Sequence, residues 1–197
     1  MSIQNNLVAK EIPMIYFIIL AAIATRFIPH MPNLAPVTAL AIFAAVYLPK
    51  KQAIAVPLVV RFVSDIFLGF FSWPLMVAVY ASHLAGVGIG LWVRKAKAGT
   101  LNRWLKIGSA GIFSAGIFFL VTNFVMFYPH NYPQDWSGLM LSYTNALPFL
   151  RGTLMGDVGY TVALFASYEF AKYMSKNFST TWLKAKFSLL VKAVIRA

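Results

Sequence analysis

Arg61 and Asp65 stand four residues apart inside residues 53–71, a run that is otherwise almost wholly apolar and long enough to cross a bilayer. Ionisable groups at that depth cost ~2.5 to 3.5 kcal/mol each on insertion scales, and they face a bundle interior or a wet cavity where partners exist. At this spacing the two share one helical face and can neutralise each other. Arg before Asp is the weaker order in the helix dipole, which leaves both open to partners on other helices. The chemistry on offer is therefore a structural ion pair locking helices together, or a polar cavity that holds a ligand.

Asp157 is a second carboxyl in an apolar segment, so an intramembrane protease or a proton relay has to be weighed. No Gly-x-Gly-Asp signature accompanies either carboxyl, and His-Glu-x-x-His and a Walker loop are also absent. With no cysteine, disulfides, thiolate metal sites and cysteine nucleophiles are excluded. We expect no enzyme activity, no metal and no cofactor.

Composition sets the class of the elements that carry these groups. Hydrophobic residues are 60% of the 197 and charged residues only 11%, against roughly a quarter charged in soluble domains. Mean hydropathy is +0.72. The chain reads as an integral membrane protein, all-α and polytopic. The net charge of +12 does not point to nucleic acid, because Lys and Arg fall in short loops and in the tail, where the positive-inside rule accounts for them.

Six helices follow from the apolar runs. The first covers residues 12–28, is retained rather than cleaved as a signal, and stops at Pro29 with Arg26 near its end. Pro29, Pro32 and Pro36 impose an extended turn that carries His30 and Asn33. The second helix runs from Pro36 to about Leu48 and is short, so its start dips into the bundle. Irregular backbone there is tolerated only where it is buried in protein or lines a cavity.

The third and fourth helices cover residues 52–71 and 74–93; the fourth carries His83, with Gly86 and Gly90 at a close-packing spacing. His83 reads first as a packing group and second as a ligand. Residues 107–128 form the fifth helix, with Gly111 and Ala115 at the same spacing and Asn123 in its far third. Residues 137–147, with Tyr143 and Asn145, read as a short half-polar helix at the interface or folded inward. The sixth helix, residues 148–171, holds Arg151, Asp157 and Tyr160.

Residues 1–171 thus form a transmembrane domain, and residues 172–197 a basic amphipathic tail for the anionic leaflet or for a partner. Lys10, Lys50, Lys51, the 94–106 loop and the tail share one side, which places both termini in the cytoplasm. Arg26, Asp65, Asn123 and Arg151 then fall in the opposite, outer half of the bundle, with Arg61 and Asp157 nearer its middle.

Arg26-x3-His30-x-Pro32-Asn33-x2-Pro36, followed by Ala39 and Phe43, opens a series of spaced motifs. Ser64-Asp65-x3-Gly69, Thr122-Asn123-Phe124, Tyr132-x5-Gly138-Leu139 and Pro148-Phe149-x-Arg151-x-Thr153-Leu154-x-Gly156-Asp157 complete it. In these motifs the chain resembles an uncharacterised family of small bacterial six-helix membrane proteins. That family is in turn similar to the substrate-binding S components of energy-coupling-factor vitamin transporters. The resemblance covers residues 12–171. It implies an S-component-like bundle in the bacterial inner membrane that captures a small, vitamin-like molecule from the extracytoplasmic side. Such a protein acts alone or docked on an ATP-driven energy-coupling module, with membrane lipids as its other partners.

The candidate site comprises Arg26, His30, Asn33, Asp65, Asn123, Tyr143, Arg151 and Asp157. Phe70, Trp73, Tyr128, Tyr132 and Trp136 supply aromatic surface beside it, either as walls and lid or as an interfacial belt. The competing class is a non-enzymatic structural or assembly factor of the inner membrane. An enclosed outward-side cavity favours the first class; a packed interior with an exposed groove favours the second.

Overall fold

The computed structural model describes residues 2–29, 31–128 and 131–177, and the side chains of residues 12–29, 31–128 and 131–175. His30 and the tail beyond residue 177 lie outside the described residues. Among those residues there are six helices and no strand: α1 (Ser2–Thr25), α2 (Val37–Tyr47), α3 (Lys50–Leu68), α4 (Trp73–Arg94), α5 (Leu101–Phe127) and α6 (Trp136–Asn177).

α2 is the axis of the bundle and touches every other helix. Residues 37–46 are buried without exception, which small side chains at Ala39, Ala41, Ala44 and Ala45 make possible on all sides at once. α4 approaches closest. A Cβ added to Gly90 would stand 2.6 Å from the Ile42 carbonyl oxygen and from Ala45 Cβ, and one at Gly86 3.2 Å from Thr38 Cγ2. The expected small-residue spacing is therefore a backbone-to-backbone seam, in which the absence of side chains lets the two helices approach closely. Gly111 of α5 makes the same kind of approach to Asp157 and Val158 of α6.

Several element boundaries differ from expectation, α1 beginning at Ser2 rather than at residue 12 and α5 at Leu101 rather than at residue 107. α1 ends at Thr25, and Arg26, Phe27 and Ile28 continue as a tighter turn whose N–H groups donate three residues back at 3.0, 3.2 and 3.3 Å. α6 is a single helix through Pro148, not a short interfacial helix followed by a span. The reason is tertiary: Ser142 donates to the Asn123 carbonyl at 3.0 Å and Tyr143 to the Leu120 carbonyl at 2.9 Å, so α5 holds the first half of α6 against it.

α4 and α5 are each long and apolar enough to cross a membrane by length and composition. The other helices are shorter in their apolar part or interrupted by charge, α3 carrying Lys50, Lys51, Arg61 and Asp65. Large apolar side chains nevertheless point outward from most helices, with Phe17, Phe67, Trp73 and Leu101 each more than 70% exposed. Surface of that kind marks contact with a membrane or with protein.

Candidate functional site

α1, α3 and α5 finish, and α2, α4 and α6 begin, at one end of the bundle. Residues 31–36 close over that end. They dock on α6 where side chains are absent: the Pro32 carbonyl lies against Gly152, and Asn33 O and Ala35 N lie 3.2 and 3.1 Å from where a Gly156 Cβ would be. Asn33 takes φ +61°, a left-handed conformation that asparagine adopts more readily than most residues. An N–H from Ala35 back to the Asn33 carbonyl, at 3.0 Å, tightens the turn.

Beneath the turn Asp65, 1% exposed, receives three donors. Arg61 Nε donates to its Oδ2 at 2.8 Å, Arg26 Nη2 to its Oδ1 at 3.3 Å and the Tyr80 hydroxyl to Oδ2 at 3.3 Å. Arg26 Nε donates to Ser64 Oγ, and the Arg61 guanidinium lies 5.1 Å from the centre of the Phe71 ring. The i,i+4 pair expected within α3 exists, and Arg26 joins it from α1, so two buried cations share one carboxylate. The described bonds of these guanidiniums use Arg26 Nε and Nη2 and Arg61 Nε.

These guanidiniums line a small void of about 40 Å³ together with Asn33, Ala35, Thr38, His83, Phe118, Thr153 and Asp157. A second void of about 80 Å³ shares Asn33, Phe118 and Thr153 with it and adds Thr122, Asn123 and Phe149. Asn33 is exposed and borders both voids, which places it at their mouth.

On the α2–α4 side, Thr38 Oγ1 lies 3.1 Å from His83 Nδ1 and is also hydrogen-bonded to the Asp157 carboxyl. His83 stacks on Phe118 at 5.8 Å. His83 Nε2 and Asp157 Oδ2 are buried without a protein partner. Asp157 makes no ion pair among the described residues. Unsatisfied polar atoms at this burial are costly unless something else supplies the bond.

Of the residues expected from sequence, Arg26, Asn33, Asp65, Asn123 and Asp157 meet here. Arg151 is exposed and borders neither void, and Tyr143 spends its hydroxyl on α5. Phe70, Trp73, Tyr128 and Trp136 are all exposed and line neither void, which suits an interfacial belt. The site also takes in Arg61, Thr38, His83 and Thr153. Arg61 and His83 were visible in the sequence as charged and titratable outliers, whereas a threonine in an apolar helix carries no signal of its own.

No curated protein and no solved structure matches the chain. Residues 6–181 match DUF6580, a family of unknown function, and the chain belongs to that family.

Proposed function

We propose that this is a polytopic, non-enzymatic membrane protein that binds a small solute at the Arg26 end of the bundle and passes it inward, as a binding component of transport. The observation that carries the reading is the pair of buried guanidiniums on one carboxylate, facing a polar void in an otherwise apolar bundle. Buried ionisable groups in a membrane bundle are expensive and characteristically functional.

The size of the voids favours a solute of a few heavy atoms. Drug-sized pockets run to roughly 300–1,000 Å³, so a vitamin-sized ligand needs residues 31–36 to lift off Gly152 and Gly156. The likeness to S components, and with it an ATP-driven partner, belongs to this proposal, as does the inner-membrane placement with both termini cytoplasmic. Reporter fusions after Lys51 and Lys97 are expected to report the cytoplasm; a periplasmic signal from either overturns that orientation.

Native mass spectrometry of the detergent-solubilised protein tests the site. A small molecule should co-purify with the parent chain and disappear in Asn33→Ala and Thr153→Val, with Arg151→Ala, outside both voids, as the control. Equal retention in all three variants moves the site elsewhere.

The assembly-factor reading has one observation of its own. An apolar groove of about 500 Å³ runs between α4 and α5, lined by Ala85, Gly88, Ile89, Trp92, Phe113 and Ile117, and its small residues would admit another helix. Gly88→Leu fills that groove. Loss of a co-purifying protein with retention of the small molecule would separate the two readings.

A further inference from the structure

We infer that the solute is a small carboxylate bearing a hydrogen-bond donor on the adjacent carbon, held between the Arg26–Arg61 guanidiniums and the His83–Asp157 pair. This rests on the reading of the Arg26 end as a solute site and adds the chemical class.

The two walls of the void make opposite demands. On one wall the described bonds of the guanidiniums use Arg26 Nε and Nη2 and Arg61 Nε, and the cluster of two guanidiniums and Asp65 carries one positive charge in excess, set against the Asp157 carboxyl on the other wall. A guanidinium presents a planar fork whose geometry matches the two oxygens of a carboxylate. Asp65 already occupies Arg61 Nε and Arg26 Nη2, so it holds the forks in place beside the void.

The other wall lacks a donor. With Thr38 donating to Asp157, its oxygen accepts from His83 Nδ1–H, and His83 Nε2 is then a bare acceptor. Asp157 Oδ2 is the second atom on this wall without a partner. An ammonium one carbon from the carboxylate supplies a hydrogen to each of these atoms, and a hydroxyl supplies its single hydrogen to one of them. A plain alkanoate satisfies the guanidiniums and leaves this wall unpaired. An inorganic cation satisfies the acceptors and meets two guanidiniums. The adjoining void beside Asn123 and Phe149 has room for a short substituent, its volume being about 80 Å³.

The test is titration calorimetry on the full chain in detergent with lactate, alanine, propionate and glycerol. Lactate or alanine should bind at least about tenfold tighter than propionate, the loss expected when one buried polar partner goes unmet, and glycerol should not bind. Preference between lactate and alanine identifies the donor as hydroxyl or ammonium. Arg61→Gln should weaken binding by about tenfold or more, as loss of a hydrogen bond to a charged group does. Arg61→Lys, which keeps the charge and loses the fork, covers the case in which the Gln variant does not fold. Asp157→Asn should shrink the gap between lactate and propionate.

Equal affinity for propionate, lactate and alanine overturns the inference, as does an affinity that Arg61→Lys leaves unchanged. If none of the four binds, yet a neutral or cationic molecule co-purifies and is lost in Asn33→Ala, the class is wrong and the site stands. If no molecule responds to Asn33→Ala or Thr153→Val, both fail.

Discussion

The two ends of the bundle use the same side-chain chemistry and reach opposite outcomes. At the far end, Arg103 Nη2 donates to the Tyr47 hydroxyl at 2.9 Å and Arg103 Cζ lies 5.4 Å from the ring centre, while that hydroxyl donates to Glu169 Oε1 at 3.4 Å. Arg94 caps the end of α2 by donating to the carbonyls of Ala45 and Leu48 at 3.5 and 3.3 Å. Tyr47 packs on Phe43, Phe165 and Tyr168, with ring centres 4.8, 5.6 and 4.1 Å apart, and such ring pairs add about 0.5–1.5 kcal/mol each beyond their area. That aromatic cluster seals the bundle. At the Arg26 end donors and acceptors do not balance, and the surplus faces a void. A closed hydrogen-bond count marks a structural network; an open count beside a cavity is what the proposed site rests on.

The largest expected effect tests that contrast. Asp65→Asn removes the counter-charge of two buried guanidiniums and is expected to cost about 3–5 kcal/mol, as breaking a buried pair does. Glu169→Gln, at a half-buried carboxylate bonded through one tyrosine, should cost no more than about 1 kcal/mol. Thermal melting in detergent measures both. Equal losses would mean that the far end is as tightly coupled as the Arg26 end, and the contrast would dissolve.

A smaller effect tests the seam that brings α2 and α4 together beneath the site. Gly90→Ala drives a methyl group against the Ile42 backbone and should destabilise by about 1–3 kcal/mol, whereas Gly88→Ala meets nothing within 4 Å and should leave melting unchanged or slightly raised. If Gly90→Ala is neutral, α4 is free to shift, and the His83–Thr38 contact is no longer rigidly placed.

The smallest effect lies outside the bundle, at the start of α6. Asp135 Oδ1 accepts from the Gly138 N–H at 2.8 Å and the Ser137 hydroxyl at 2.7 Å, and these bonds, the Gly138 one first, hold its carboxyl below the usual range. A depressed carboxyl stabilises the fold above its unfolded value of about 4, and that contribution is lost as pH falls through the folded value. Asp135→Asn keeps an equivalent cap and should remove this part of the acid sensitivity while leaving neutral-pH melting alone. An unchanged acid limb would assign the pH dependence to another group.

Much of this arrangement was legible beforehand. The apolar runs, the prolines and the basic loops define six helices and their alternation, and Arg61-x3-Asp65 is bound to pair because residues four apart share a helical face. The proline-rich turn was expected to be buried in protein or to line a cavity, since loose backbone inside a membrane bundle would leave polar groups unmet. Spaced glycines marked the close approaches that position α2, α4 and α6.

Helix rotation and long-range partners were decided only by the tertiary structure. A soluble helix announces its inner face by amphipathic periodicity, but a helix apolar all round offers no such mark, so nothing in the sequence turns Asp157 inward and Arg151 outward six residues earlier. Arg26 reaches Asp65 across 39 residues, and Thr38 reaches His83 across 45. Those contacts exist because α2 is small enough on every face for its neighbours to close around it. α6 likewise runs unbroken through Pro148 because α5 binds the segment before it, a force that no reading of local propensity contains.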